Sequence, residues 1–211
     1  MKERPILMSA PMVRALLAGT KTQTRRALKQ QPQLSANHEP IRPESRGGHS
    51  WVFMVHTDRP SYQFATGDTR CPYGQPGDLL WVRETWAQNA NQTSDTHIDR
   101  SILYRADGSD RALDNGSELP WRPSIFMPRA LSRLTLRITK VRVHRLVDIS
   151  EEDACAEGWP NLPGAPLRDA YPIGWYANLW DDINGRGSYE ANPWVWALTF
   201  ERVPLRDAAG G

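Results

Sequence analysis

Val13, Leu16 and Leu17 recur at the i, i+3, i+4 spacing that places side chains on one face of a helix. Ser9 stands where an N-cap belongs, and Pro11 suits a first turn, where a missing N–H costs nothing. Gly19 supplies the stop, so the pattern predicts a short amphipathic helix docked on a core and fed by a strand at Ile6–Met8. Elsewhere the period changes to two. Trp51–His56 and Leu79–Trp86 read as short buried strands, the second opened by the Pro76-Gly77-Asp78 turn, and Ile102–Arg105 reads as another short strand. A regular pleat in Leu79–Trp86 sends Arg83 and Glu84 to opposite faces.

The longest alternating run is Arg133–Leu146. Leu134, Leu136 and Ile138 share one parity, Val141 and Val143 the other, and the switch near Thr139-Lys140 predicts a β-bulge. The opposite face carries Arg133, Arg137, Lys140, Arg142 and His144; it is expected as a solvated face, with an RNA-facing patch as the alternative. Ser150-Glu151-Glu152-Asp153 fits a capping box loosely and opens a short helix from Glu151 to Glu157 that stops at Gly158. Leu179 and Ile183 mark a helix over Tyr176–Ile183, and Trp194–Glu201, apolar on both parities, reads as a central strand. The order of elements lacks the βαβ rhythm of a parallel sheet. It predicts an α+β chain: a small mixed β-barrel with short peripheral helices and long loop insertions.

Composition narrows the function classes. The 211 residues, 39% hydrophobic and 24% charged, are read as one domain over 1–205, with insertions near 27–70, 87–130 and 160–190 and a frayed tail at 206–211. A net charge of +2 excludes wholesale wrapping of nucleic acid, so any basic surface is local. Cys71 and Cys155 form neither a ligand-spaced cluster nor a disulfide framework, which points to reduced thiols and a cytoplasmic setting. The first residues predict no signal peptide, and no apolar run approaches the roughly 20 residues that span a bilayer. His38, His49, His56, His97 and His144 lack metal spacing, so no metal and no other cofactor is expected.

The candidate chemistry gathers directly behind the first helix, where Lys21, Thr22, Thr24, Arg25 and Arg26 follow Gly19. Such a cluster either faces a polar ligand or is a solvated helix exit. Among nine tryptophans, Trp81, Trp194 and Trp196 read as strand core, whereas Trp86 and Trp159, at element ends, are candidates for stacking on a nucleobase. Arg83 and Glu84 are expected to form a buried ion pair or to contact a ligand.

Three segments, LLAGTKTQTRR, PGDLLWVRE and LVDISEEDACAEG, together resemble the ASCH family. That family has the PUA-like fold, a small β-barrel associated with RNA, and the long tryptophan-rich form resembles versions carried by phages and prophages. Some compact bacterial members are amidohydrolases that remove the acyl group from N4-acetylcytidine with a lysine, a threonine and a glutamate. The resemblance implies Lys21, Thr24 and Glu157 in those roles, with Glu151, Glu152 and Asp153 competing for the last. Arg25, Arg26, Arg83, Glu84, Trp86 and Trp159 are then the candidate contacts to a modified cytidine nucleoside, or to RNA carrying it.

The chemistry sets demands. A threonine hydroxyl needs a neutral amine to accept its proton, so Lys21 must titrate well below its usual range of about 10.4. Glu157 must be able to donate a proton, helped by an apolar neighbour such as Trp159. Residues three apart in a regular strand diverge, so Lys21 and Thr24 meet only if the backbone over residues 20–24 is irregular. The competing classes are a non-catalytic RNA-binding module and a metal-independent ribonuclease cutting through the 2′-OH.

Overall fold

The computed structural model describes residues 1–32, 41–47, 50–55, 69–88, 92–94, 97–98, 102–108, 120–160 and 170–204. The chain is α+β. Its strands are β1 (Glu3–Leu7), β2 (Gln23–Ala27), β3 (Ile41–Ser45), β4 (Ser50–Val55), β5 (Thr69–Arg70), β6 (Leu79–Arg83), β7 (Trp86–Gln88), β8 (Gln92–Ser94), β9 (His97–Ile98), β10 (Ile102–Tyr104), β11 (Thr135–Arg145) and β12 (Trp194–Val203). The helices are α1 (Ala10–Leu17), α2 (Glu151–Ala156) and α3 (Pro172–Asn184), none of them long and apolar enough to cross a membrane.

A five-stranded sheet in the order β1-β6-β11-β12-β2 organises the molecule. β1 and β6 run parallel; the other pairs are antiparallel. Among the described residues β1 and β2 are not paired, so the described sheet is open where a closed barrel was expected. A side chain spans that gap instead, with Arg26 Nη2 on β2 donating to the Leu7 carbonyl on β1 at 2.8 Å. Smaller sheets pair β3-β4-β5, β7-β10 and β8-β9.

The register of β11 against β12 shifts between Ile138 and Lys140, the bulge expected from the parity switch. The extra residue returns Val141 and Val143 to the side of Leu136 and Ile138. There they join Val13, Leu16, Leu198 and Trp196 in the main core. β12 is flanked by strands on both sides and is buried from Trp194 to Leu198, which its two-sided apolar pattern requires. Its opposite face gives Val195 to a second cluster with Leu146, Ile149, Ala154, Tyr176 and Trp180, and this cluster holds α2 and α3 against the sheet.

Several sequence expectations are corrected. β1 is Glu3–Leu7 rather than Ile6–Met8. The strand at Trp51–His56 is Ser50–Val55, and His56 lies outside the described residues, as do His38, His49 and the tail at 206–211. Leu79–Trp86 is two strands, because the chain leaves the sheet after Arg83 and Trp86 pairs with Tyr104 and Arg122 instead. The helix expected at Tyr176–Ile183 extends over Pro172–Asn184, with proline accepted in its first turn. In α1, Met12 rather than Leu17 completes the buried face, and Leu17 is exposed. Ser9 makes no side-chain cap there, whereas Ser150 caps α2 by accepting from Asp153 N at 3.1 Å. The charged face expected of the 133–146 run is not simply solvated: Arg133, just before β11, pairs with Glu84 and Asp107, and Arg142 pairs with Asp153 of α2.

Candidate functional site

Two helix ends build the site. At the end of α1, Gly19 takes a left-handed conformation (φ 77°), and the N–H groups of Thr20 and Lys21 both turn back to the Ala15 carbonyl. At the end of α2 the last carbonyls have no partner within the helix. The segment after α1 supplies it: Thr22 N donates to Ala156 O at 2.8 Å, and Lys21 Nζ donates to Glu157 O at 2.8 Å. Gly158, at φ 102°, then carries the chain away through a space where a side chain would crowd its neighbours. A Cβ there would lie 3.0 Å from the Cβ of Ala15 and 3.3 Å from that of Lys21. The two sequence segments are thus joined because each satisfies the other's unmet backbone groups.

Lys21 is enclosed, its side chain wholly removed from solvent. Nζ makes a second bond, to Glu157 Oε2 at 2.8 Å, and the other carboxylate oxygen accepts from Arg25 Nη1 at 3.0 Å. Arg25 Nη2 continues to Asp153 Oδ2 at 2.6 Å, and Asp153 also accepts from Arg142 and from the Gln23 amide. Strand register explains this convergence. Arg25 and Arg142 both sit opposite Ala197 from its two sides, on the sheet face turned toward α2 and α3, and the small alanine leaves room for two guanidinium groups. The Tyr176 ring closes the arrangement, with Arg25 Cζ 5.8 Å from its centroid.

The electrostatics follow from burial. Desolvation lowers the Lys21 pKa; the charge and hydrogen bond of Glu157 oppose that, and Arg26 and Arg25 add to it. For Asp153 burial works upward, but the Gln23 hydrogen bond and the charges of Arg25 and Arg142 outweigh it and lower its pKa. Tyr176 is raised well above its ordinary value, first by burial and then by the Glu157 charge.

Thr24 is placed differently. The backbone at residues 20–22 is irregular, with Lys21 forming only an isolated bridge to Glu157, and regular strand begins at Gln23. Within β2 the pleat puts Thr24 and Arg26 on the face opposite Arg25, toward the main core, where Thr24 is paired with Leu198. Its hydroxyl is buried and has no hydrogen-bond partner among the described residues. The structure therefore joins Lys21, Arg25 and Glu157 directly and leaves Thr24 outside that set. Of the other acids, Asp153 belongs to the cluster, while Glu151 and Glu152 are exposed on α2.

Two cavities flank the cluster. One, of about 460 Å³, has Leu7, Met8 and Ser9 on one side, Arg25, Arg26 and Ala27 on another, and Tyr176, Trp180 and Asn184 of α3 beyond them. The second, of about 650 Å³, lies between α1 and α3 and includes Glu157, Trp159 and Trp175. Met12 and Leu179 line both, so they form the partition between them. Trp159 thus shares a cavity with Glu157. Neither Lys21 nor Thr24 lines either space.

The remaining expected contacts lie elsewhere. Glu84 is buried, but its partner is Arg133, which grips both carboxylate oxygens at 2.9 and 3.0 Å, holds Asp107 and lies 4.0 Å over the Tyr104 ring. Desolvation raises the Glu84 pKa despite that grip. Arg83 stacks on Trp81 and donates to the Ile125 carbonyl. Trp86 is buried, with Arg122 over its ring, rather than open for stacking. Sequence reading missed Arg142, Gln23 and Tyr176. The first was visible as a polar position of β11 but not as a partner of α2, a relationship set only by tertiary packing. No family model, curated protein or solved structure matches the chain.

Proposed function

We propose that this protein is an ASCH-type amidohydrolase with a PUA-like fold, acting in the cytoplasm on N4-acylated cytidine to release cytidine and a carboxylate. One observation carries the reading: a fully buried lysine held 2.8 Å from a buried glutamate, at the two positions that the family resemblance designates. Transfer of one proton across that contact converts ammonium and carboxylate into amine and carboxylic acid, the base and acid that amide cleavage needs.

In this reading the Thr24 hydroxyl gives its proton to the Lys21 amine as Oγ bonds to the acyl carbon. An arginine of the cluster stabilises the resulting oxyanion. The C–N4 bond then breaks, N4 takes a proton from Glu157, and water hydrolyses the acyl-threonine. The lowered pKa of Lys21 favours the amine. Thr24 enters through the resemblance and through its unpartnered hydroxyl. The pleat sets it apart from Arg25, so its role is the first to test.

The experiment is incubation with N4-acetylcytidine while following the ultraviolet change to cytidine, with Lys21→Ala, Thr24→Ala and Glu157→Ala beside the wild type. Turnover by the wild type alone supports the assignment. Turnover by Thr24→Ala removes the covalent step, and no wild-type turnover transfers the reading to a non-catalytic RNA-binding module.

A further inference from the structure

The charges around the buried pair do not balance. Among the described residues Lys21, Arg25 and Arg142 stand against Asp153 and Glu157, and Arg26, on the other face of β2, adds a further positive charge that bears on Lys21. Asp153 and Glu157 are fully engaged by Arg25, Arg142 and Lys21. Arg26 is the cation left over. Its described partners are uncharged: the Arg25 carbonyl at 3.1 Å, the Leu7 carbonyl at 2.8 Å, the Met8 sulfur at 3.9 Å and the Tyr73 side chain. A partly buried guanidinium with no counter-charge loses hydration without recovering it from a carboxylate.

Arg26 lines the cavity of about 460 Å³ between β1, β2 and α3. That volume falls within the range of about 300–1,000 Å³ usual for small-ligand pockets. Its described lining contains no acidic residue, but it includes the hydroxyls of Ser9, Thr85 and Ser124 and the Asn184 amide beside the apolar walls of Met12, Leu179 and Trp180. An apolar wall, a planar cation with no carboxylate partner among the described residues and several hydroxyl-bearing side chains form a lining suited to a flat base on one side and an anionic oxygen group on the other. Arg83, the register partner of Leu7 on β6, likewise forms no ion pair among the described residues.

We infer that this cavity is a phosphate subsite, in which Arg26 binds the phosphate of a cytidine nucleotide. The base identity rests on the amidohydrolase reading; the phosphate subsite does not. Binding of cytidine 5′-monophosphate, cytidine and inorganic phosphate is measured calorimetrically at two salt concentrations, on wild type, Arg26→Gln and Ser124→Ala. Arg137→Gln, an exposed arginine paired with Glu201, serves as the control. The monophosphate is expected to bind at least tenfold more tightly than cytidine, with an advantage that shrinks as salt rises. That advantage is expected to disappear in Arg26→Gln, weaken in Ser124→Ala and persist in Arg137→Gln.

Equal binding of monophosphate and cytidine overturns the subsite, as does a preference that survives in both cavity variants, or no binding of the monophosphate at all. Hydrolysis of N4-acetylcytidine without any monophosphate preference removes the subsite and leaves the amidohydrolase reading. Preferential monophosphate binding without hydrolysis does the reverse.

Discussion

Lys21 is tied to Glu157 twice, Nζ donating at 2.8 Å both to the carboxylate and to the backbone carbonyl of the same residue. One bond neutralises a buried charge and the other caps α2, so the contact fixes where the segment after α1 meets the segment after β11.

Substitutions across this contact are expected to be unequal. Glu157→Ala leaves the buried Lys21 without its carboxylate partner and Arg25 with Asp153 only, and should lower the unfolding free energy by about 3–5 kcal/mol, as loss of one partner of a buried pair does. Lys21→Met leaves Glu157 paired with Arg25 and should cost less. The double variant should be more stable than the sum of the two losses predicts, which urea unfolding of all four proteins measures.

Thr24 offers a separation of stability from activity. Its buried hydroxyl lacks a partner among the described residues, and valine has nearly the same shape, so Thr24→Val should raise the unfolding free energy by about 1 kcal/mol. The same change should abolish hydrolysis of N4-acetylcytidine. A stabilised and fully active variant would remove Thr24 from the mechanism.

Acid should weaken the cluster through Asp153. Its folded pKa is lowered, against an ordinary value of 3.8, so its contribution to stability is present above that value. The contribution is lost as the pH falls through the still lower folded value. Asp153→Asn should therefore reduce stability at neutral pH and show a shallower decline on acidification, read from thermal unfolding between about pH 6 and pH 2.

Gly158 should tolerate no side chain. At φ 102°, with Ala15 and Lys21 at 3.0 and 3.3 Å from a Cβ, Gly158→Ala combines backbone strain with a clash. It should cost about 1–3 kcal/mol. Relieving the clash alone, with Ala15→Gly added, should restore only part of that, because the strain remains.

Much of this architecture is legible in the order of residues alone. The period of α1, the glycine that ends it, the bulge in β11 and the centrality of β12 are local or near-local consequences of residue order, each set by backbone sterics or by which face must be dry. Lys21, Arg25 and Glu157 could be singled out by residue type and resemblance. Packing alone decided the rest: Glu84 turned to Arg133, Trp86 went into the interior, and Arg142 reached Asp153 across the sheet. It also decided that Lys21 and Arg25 would share one glutamate while Thr24, a single residue from Arg25, faced the other way. The physical reason is one of range. Periodicity dictates which side of its own element a residue occupies, whereas the partner a buried charge acquires depends on which elements dock together, and desolvation makes that choice costly to get wrong.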